Sequence, residues 1–350
     1  MEFLQGAAFA DPLMPHQLQN GGVYQFSQNL NSTYNARLFG DYIYASQINS
    51  GSQSIARYRW GSTTAVQERS FGAPEHRMNA PFPGATPSYL LAADGATDTR
   101  SLYLYNINNY TQRVSTLSPF NVSHNSFDWV DADTIIAASY LPDTTRKNLY
   151  LIDINVTGDP FSGGSFTASV NTTWNANGYV TTPVSTRIRN VRVGKTYTGY
   201  AYYGDAGVNN NPKFYAINLA TGVSTELGGA GQLSGSGSFG VWTVVEAGGY
   251  LYVQTTDNGI QVYKMLDATT LGPLVYTYSK SLIDSLFPGQ SSSQYWGFDV
   301  SPDGMRMVLS GASGRTYLIF GVPEPSSWLL MLLAGAGWLG WRRFQPAKLS

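Results

Sequence analysis

The sequence predicts an all-β protein, a β-propeller of six four-stranded blades with seven held open, followed by a single C-terminal transmembrane helix. Three observations predict it. A strand pair recurs six times along the chain, the composition is poor in charge and rich in aromatic residues, and an apolar run follows the last pair.

The repeat comes first. The second members of the pairs read Ser54 to Trp60, Ser101 to Asn106, Asn148 to Asp153, Lys213 to Asn218, Gly259 to Lys264 and Arg315 to Phe320, with starts 47, 47, 65, 46 and 56 residues apart. Each is preceded by an apolar-aromatic run: 42–45, 89–92, 135–138, 200–203, 250–253 and 307–310. Short runs rich in aromatic and β-branched residues, bounded by polar turns, read as strands. A spacing in the forties is what a blade of four short strands and their turns requires. A β-sandwich or jelly roll is the alternative architecture, since it also spaces short strands evenly.

The composition agrees. Charged residues make up 12% of the chain, against roughly 25% in an ordinary soluble domain, while aromatics reach 14% with 24 Tyr and 8 Trp. Disorder requires few aromatics, so it is excluded for the body. The net charge is −1 and Lys and Arg are not clustered. Nucleic acid is therefore not expected as a partner, because phosphate binding needs a basic face. Arg187, Arg189 and Arg192 alternate with apolar residues as an ordinary strand would. The absence of cysteine rules out disulfides, thiolate metal sites and a cysteine nucleophile.

The last unit is the most legible. Phe298-Asp299-Val300-Ser301-Pro302-Asp303-Gly304 places Pro second in a turn and Gly where positive φ is wanted. With Met305 to Leu309 it resembles the Ser-Pro-Asp-Gly repeats of TolB-type and WD40-like propellers over about 25 residues. Phe127-Asp128, followed by Asp131-Ala132-Asp133, occupies the same place in an earlier unit.

After Phe320 come Val322-Pro323-Glu324-Pro325-Ser326, an uncharged run from Trp328 to Trp341, and Arg342-Arg343. A helix from Pro325 to Trp341 spans ~25 Å at ~1.5 Å per residue, a marginal crossing of the ~30 Å hydrocarbon core. Trp328, Trp338 and Trp341 suit the interfaces, and Arg342 and Arg343 can snorkel and hold the basic end in the cytoplasm. The motif, helix and basic end resemble the PEP-CTERM sorting signal of Gram-negative bacteria, with Phe344 where a third Arg is common. The resemblance implies recognition by exosortase near the Pro-Glu-Pro triplet. It also implies an exported protein, transiently anchored in the inner membrane and then at the cell surface or outside it, often where exopolysaccharide or biofilm matrix is made.

These readings divide the chain into 1–20, the remnant of an export signal and leader; 21–320, the propeller; and 321–350, the sorting tail. That tail comprises the motif at 322–326, the helix at 325–341 and the basic end at 342–343. Ala8-Phe9-Ala10 has the form of a signal-peptide cleavage site, and a longer signal upstream is the expectation.

No catalytic site is readable. His16 and His76 fall in Pro-rich sequence, and no histidine has a partner at zinc spacing, so neither metal nor cofactor is expected. The catalytic candidates are Asp128, Asp131 and His124. Asp128, Asp131 and Asp133 form the one dense acidic cluster of the body, with Asp299 and Asp303 as repeat counterparts. An acid pair would suit glycoside hydrolysis, but turn chemistry explains these positions equally well. Trp60, Trp129, Trp174, Trp242 and Trp296 are read as filling space between blades rather than stacking on sugars. The expectation is a non-enzymatic scaffold that binds exopolysaccharide or another surface protein. A secreted glycan hydrolase and a purely structural coat protein are the alternatives.

Overall fold

The structure, a computed structural model, describes residues 23–25, 32–49, 52–59, 65–71, 76–81, 89–94, 100–122, 124–139, 145–207, 212–229, 240–255, 259–286, 295–304, 306–311 and 316–320. The expected sorting motif and transmembrane helix, together with His16 and Trp60, lie outside them. Among the described residues no helix is long and apolar enough to cross a membrane.

Among the described residues the strands form six antiparallel sheets. Sheet 1 holds β2 (Ser32–Phe39), β3 (Tyr42–Asn49), β4 (Ser52–Arg59) and β5 (Ala65–Phe71). Sheet 2 holds β6 (His76–Pro81), β7 (Tyr89–Asp94), β8 (Ser101–Asn106) and β9 (Asn109–Leu117). Sheet 3 is β10 (His124–Trp129), β11 (Thr134–Ser139), β12 (Asn148–Thr157) and β13 (Ser165–Val170), with the short β14 (Tyr179–Thr181) added against β12. Sheet 4 contains β15 (Ile188–Val193), β16 (Tyr200–Asp205), β17 (Lys213–Asn218) and β18 (Ser224–Gly229). Sheet 5 contains β19 (Val241–Ala247), β20 (Tyr250–Thr255), β21 (Ile260–Asp267) and β22 (Thr270–Tyr278), after which α1 (Lys280–Leu286) leads on. Sheet 6 is β23 (Tyr295–Val300), β24 (Arg306–Gly311) and β25 (Thr316–Phe320), completed by β1 (Val23–Gln25), which pairs with β25 from the other end of the chain.

Six apolar cores alternate with the six sheets. Tyr44 and Ile55 of sheet 1 meet Leu90 and Tyr105 of sheet 2, and Leu91 and Leu102 of sheet 2 meet Ile135 and Ile152 of sheet 3. Ile136 and Leu149 pack on Tyr203 and Ile217 of sheet 4. Tyr202 and Phe214 then meet Val244 and Leu251 of sheet 5, and Tyr252 and Val262 meet Phe298 and Met307 of sheet 6. Val308 returns to Ile43 and Tyr58 of sheet 1. The ring is closed, and the architecture is an all-β propeller.

This arrangement explains why the strand pairs were legible. Ile135 and Ala137 of β11 face one core while Ile136 and Ala138 face the next. Both faces of a blade are buried, so its middle strands become nearly continuous apolar runs. Each fully buried aliphatic or aromatic side chain contributes about 1.5–3 kcal/mol.

The first strand of every sheet lies innermost. Each carries one extra residue against its partner strand, a bulge repeated six times. Bulges sharpen local twist and re-aim the side chains that follow. The Ser-Pro-Asp-Gly turn forms as expected between β23 and β24. Gly304 adopts a φ of 72°, and its N–H donates to the Ser301 carbonyl at 2.9 Å.

Candidate axial site

Just beyond these bulges, four inner strands place a charged residue at one register. Arg37, Asp128, Arg192 and Asp299 lie opposite Tyr44, Ile136, Tyr202 and Val308, each the third residue of the strand that follows. In the two remaining sheets that position is Ala80 and Val245. Around the ring the order is Arg, Ala, Asp, then Arg, Val, Asp, a pattern with two-fold character inside a six-fold frame.

The two aspartates are held alike. Asp128 accepts from the Trp129 N–H at 3.0 Å and, across the sheet boundary, from the Val193 N–H at 3.0 Å. Asp299 accepts from the Val300 N–H at 2.9 Å and from the Leu38 N–H of the next sheet at 2.8 Å. Each also takes a cation. The Arg37 guanidinium donates to Asp128 and lies 3.7 Å from Asp299. Lys195 Nζ donates to Asp299 Oδ1 at 2.6 Å and also to the Val300 carbonyl. Arg192 donates to Ser126 Oγ at 3.3 Å and to the Val191 carbonyl at 3.2 Å. The cluster ties sheets 1, 3, 4 and 6 together through the axis.

Burial and charge act against each other here. Burial would raise the Asp299 carboxyl, but Lys195, Arg37 and Arg192 hold it below its ordinary range. Burial also works to lower Arg37, yet the Asp128 and Asp299 carboxylates keep it above its ordinary value. Lys195 is lowered by burial in spite of Asp299. Arg192, buried and beside Arg37, is pushed down to about 9 and stays charged at neutral pH. Asp299 is thus ionised and saturated with donors, the opposite of what a general acid needs.

A cavity of about 450 Å³ opens beside the cluster, at the C-terminal ends of the inner strands. Its wall includes Arg37, Asp128, Lys195 and Asp299 with Trp129 and Pro302. That size lies within the ~300–1,000 Å³ of small-molecule sites.

The sequence candidates are dispersed about this axis. Asp128 is buried in the ion-paired cluster, whereas Asp131 is exposed in the β10–β11 turn, where its Oδ1 accepts from the Asp133 N–H at 3.1 Å and the Thr134 N–H at 2.8 Å. The neighbouring Asp131 raises the Asp133 carboxyl. His124 begins the strand that ends just past Asp128, so ~13 Å of backbone separates them at ~3.3 Å per residue. It is buried, its Nε2 lies 2.8 Å from Ser118 Oγ, and burial pushes its pKa down to about 4. Trp174 of sheet 3 donates from Nε1 to the Leu219 carbonyl of sheet 4 at 2.8 Å, bridging blades. Trp129 is buried on the cavity wall, and Trp242 carries the Arg189 guanidinium 5.1 Å from its ring centroid.

Arg37 and Lys195 are site residues that sequence reasoning did not single out, and Arg192 was read there as an ordinary strand residue. The one available signal was the Phe-Asp dipeptide shared by 127–128 and 298–299. The cations that answer it lie in different units.

No curated protein matches the chain. Among solved structures, the chain is similar to one in Kuenenia stuttgartiensis hydrazine synthase, at 12% identity and a TM-score of 0.52, covering 81% of this chain and 74% of that one. It is also similar to a chain in the crystal structure of a mitotic checkpoint complex, at 10% identity and a TM-score of 0.47, with the same 81% and 74% coverage. Likeness at these identities concerns the fold alone. Residues 321–343 match the PEP-CTERM protein-sorting motif, which indicates export, sorting toward the cell envelope and exosortase as the processing partner. The chain is a β-propeller body that carries a PEP-CTERM protein-sorting motif at its C-terminal side.

Proposed function

We propose that this protein is anchored transiently in the inner membrane by a helix over 325–341 and cut by exosortase near Pro323-Glu324-Pro325. Its body then serves at the cell surface as a non-enzymatic binding scaffold. The ligand is an exopolysaccharide or a polar segment of another surface protein, taken at the axial mouth.

One observation carries the binding reading: the axial cavity adjoins carboxylates already engaged by cations and backbone N–H groups. A site whose acids are saturated holds its shape, which favours recognition over proton transfer. Trp129 contributes to the cavity wall from the core between sheets 2 and 3, where its ring is buried.

The test measures binding and turnover together. Isolated body and its Trp129→Ala variant are titrated against acidic and neutral polysaccharides by calorimetry, with reducing ends assayed in parallel. Binding without release of reducing ends, weakened roughly tenfold (about 1.4 kcal/mol) by Trp129→Ala, supports the scaffold. Turnover abolished in Asp128→Asn and Asp131→Asn would establish the hydrolase reading instead. Separately, cells expressing the chain with and without residues 322–350 are fractionated. Retention of the first and release of the second is expected.

A further inference from the structure

Strand direction fixes which face of the ring the sorting tail leaves from. The inner strands run toward the cavity, and their hairpins close at its mouth, as at Gly40–Asp41 and at Pro302–Gly304. β24 then runs away from the mouth and β25 returns, so that Phe320 pairs with Arg306 beside the β23–β24 turn. Arg306 Nη1 also lies 3.7 Å from Asp41, on the rim of sheet 1. β25 therefore ends at the mouth rim, one residue before the sorting match begins at 321. β1 is antiparallel to β25, with Val23 opposite Ile319, so the segment preceding it enters at the same rim.

We infer that the mouth face is the membrane-facing side of the anchored precursor, and that exosortase cleavage uncovers the axial cavity. The inference rests on the anchoring proposed above. Seven residues separate Phe320 from Trp328. Even fully extended they reach ~25 Å at ~3.5 Å each, a short leash for a ring attached at its rim. The surface itself does not supply the attraction. The mouth-side turns carry Asp41, Asp131, Asp133, Asp159, Asp267 and Asp303, all exposed, against Lys195 in those turns and Arg59 and Arg306 at the adjoining strand ends, Arg306 lying beside Asp41. An acidic rim is repelled by anionic lipid headgroups. The orientation is covalent, and once the tail is cut nothing keeps the rim at the bilayer.

The chain has no cysteine, so single cysteines report position cleanly. Thr198→Cys marks the mouth, where Thr198 is exposed on the cavity wall. Asn121→Cys, in the exposed β9–β10 connection, marks the opposite face. Each full-length variant is reconstituted in vesicles of phosphatidylethanolamine and phosphatidylglycerol and labelled with a membrane-impermeant maleimide. A form ending at Phe320 gives each site's free rate. At Thr198→Cys the anchored chain should label several-fold more slowly than the truncated one, with no such change at Asn121→Cys. Equal slowing at both sites, slowing at neither, or slowing only at Asn121→Cys overturns the inference while leaving anchoring intact. Failure of the full chain to float with the vesicles removes the anchoring reading, and this inference with it.

Discussion

Arg37 of the first sheet donates to Asp128 of the third, spanning 91 residues of sequence and skipping the sheet between them. Both residues are buried, and the bond closes across the axis rather than between neighbours. Removing one partner of such a pair leaves the other charge stranded, which costs about 3–5 kcal/mol. Arg37→Met should therefore lower the unfolding free energy by that amount in urea titrations of the isolated body. Arg37→Met combined with Asp128→Leu should recover part of the loss. A single variant as stable as the parent would show that the pair contributes nothing.

His124 makes the fold sensitive to mild acid. Its pKa falls to about 4 through burial, against ~6.5 for the residue in an unfolded chain. Between these values the unfolded state binds a proton that the folded state refuses, so stability declines as pH drops from about 6.5 to about 4. The full effect is about 3 kcal/mol, at roughly 1.4 kcal/mol per pH unit. In His124→Gln the fall of Tm between about pH 7 and about pH 4.5 should be visibly shallower than in the parent. Parallel pH profiles would rule this histidine out as the acid-labile point.

β1 closes the ring with three residues, Val23–Gln25, opposite Tyr317, Leu318 and Ile319. Deleting residues up to 25 bares β25 as an edge, and an unpaired edge recruits other strands. The shortened body should self-associate in size-exclusion chromatography and melt at a lower temperature. Restoring a three-residue strand by peptide addition should reverse both, whereas an unchanged monomer with unchanged Tm would count against closure by β1.

The middle strands of each sheet were legible and the axial pairing of the inner ones was not, for one physical reason. Ser101–Asn106 and Lys213–Asn218 appear at the residues their alternation predicts, because both faces of a blade are buried and hydrophobicity marks them locally. Arg192 reads as an ordinary polar strand residue. Only a register shift after Ile188 and the closing of the ring bring it to the axis. The same holds for Lys195, which reaches Asp299 across 104 residues. Asp128 was visible as an acid but not as half of an ion pair, since Arg37 belongs to another unit. Asp131, by contrast, behaves as turn chemistry predicts, accepting from backbone N–H groups two and three residues on.

The pairing of Val23 with Ile319 also sets a schedule. A chain threaded across a membrane from its N-terminal side delivers β1 first and β25 last, so the first strand stays without its partner through almost the whole passage. Loop-closure entropy makes such a distant pairing slow as well as late. The circle is completed only when the residues leading into 321–343 have arrived. Completion of the fold and presentation of the sorting motif thereby become nearly simultaneous events, timed by the same few residues.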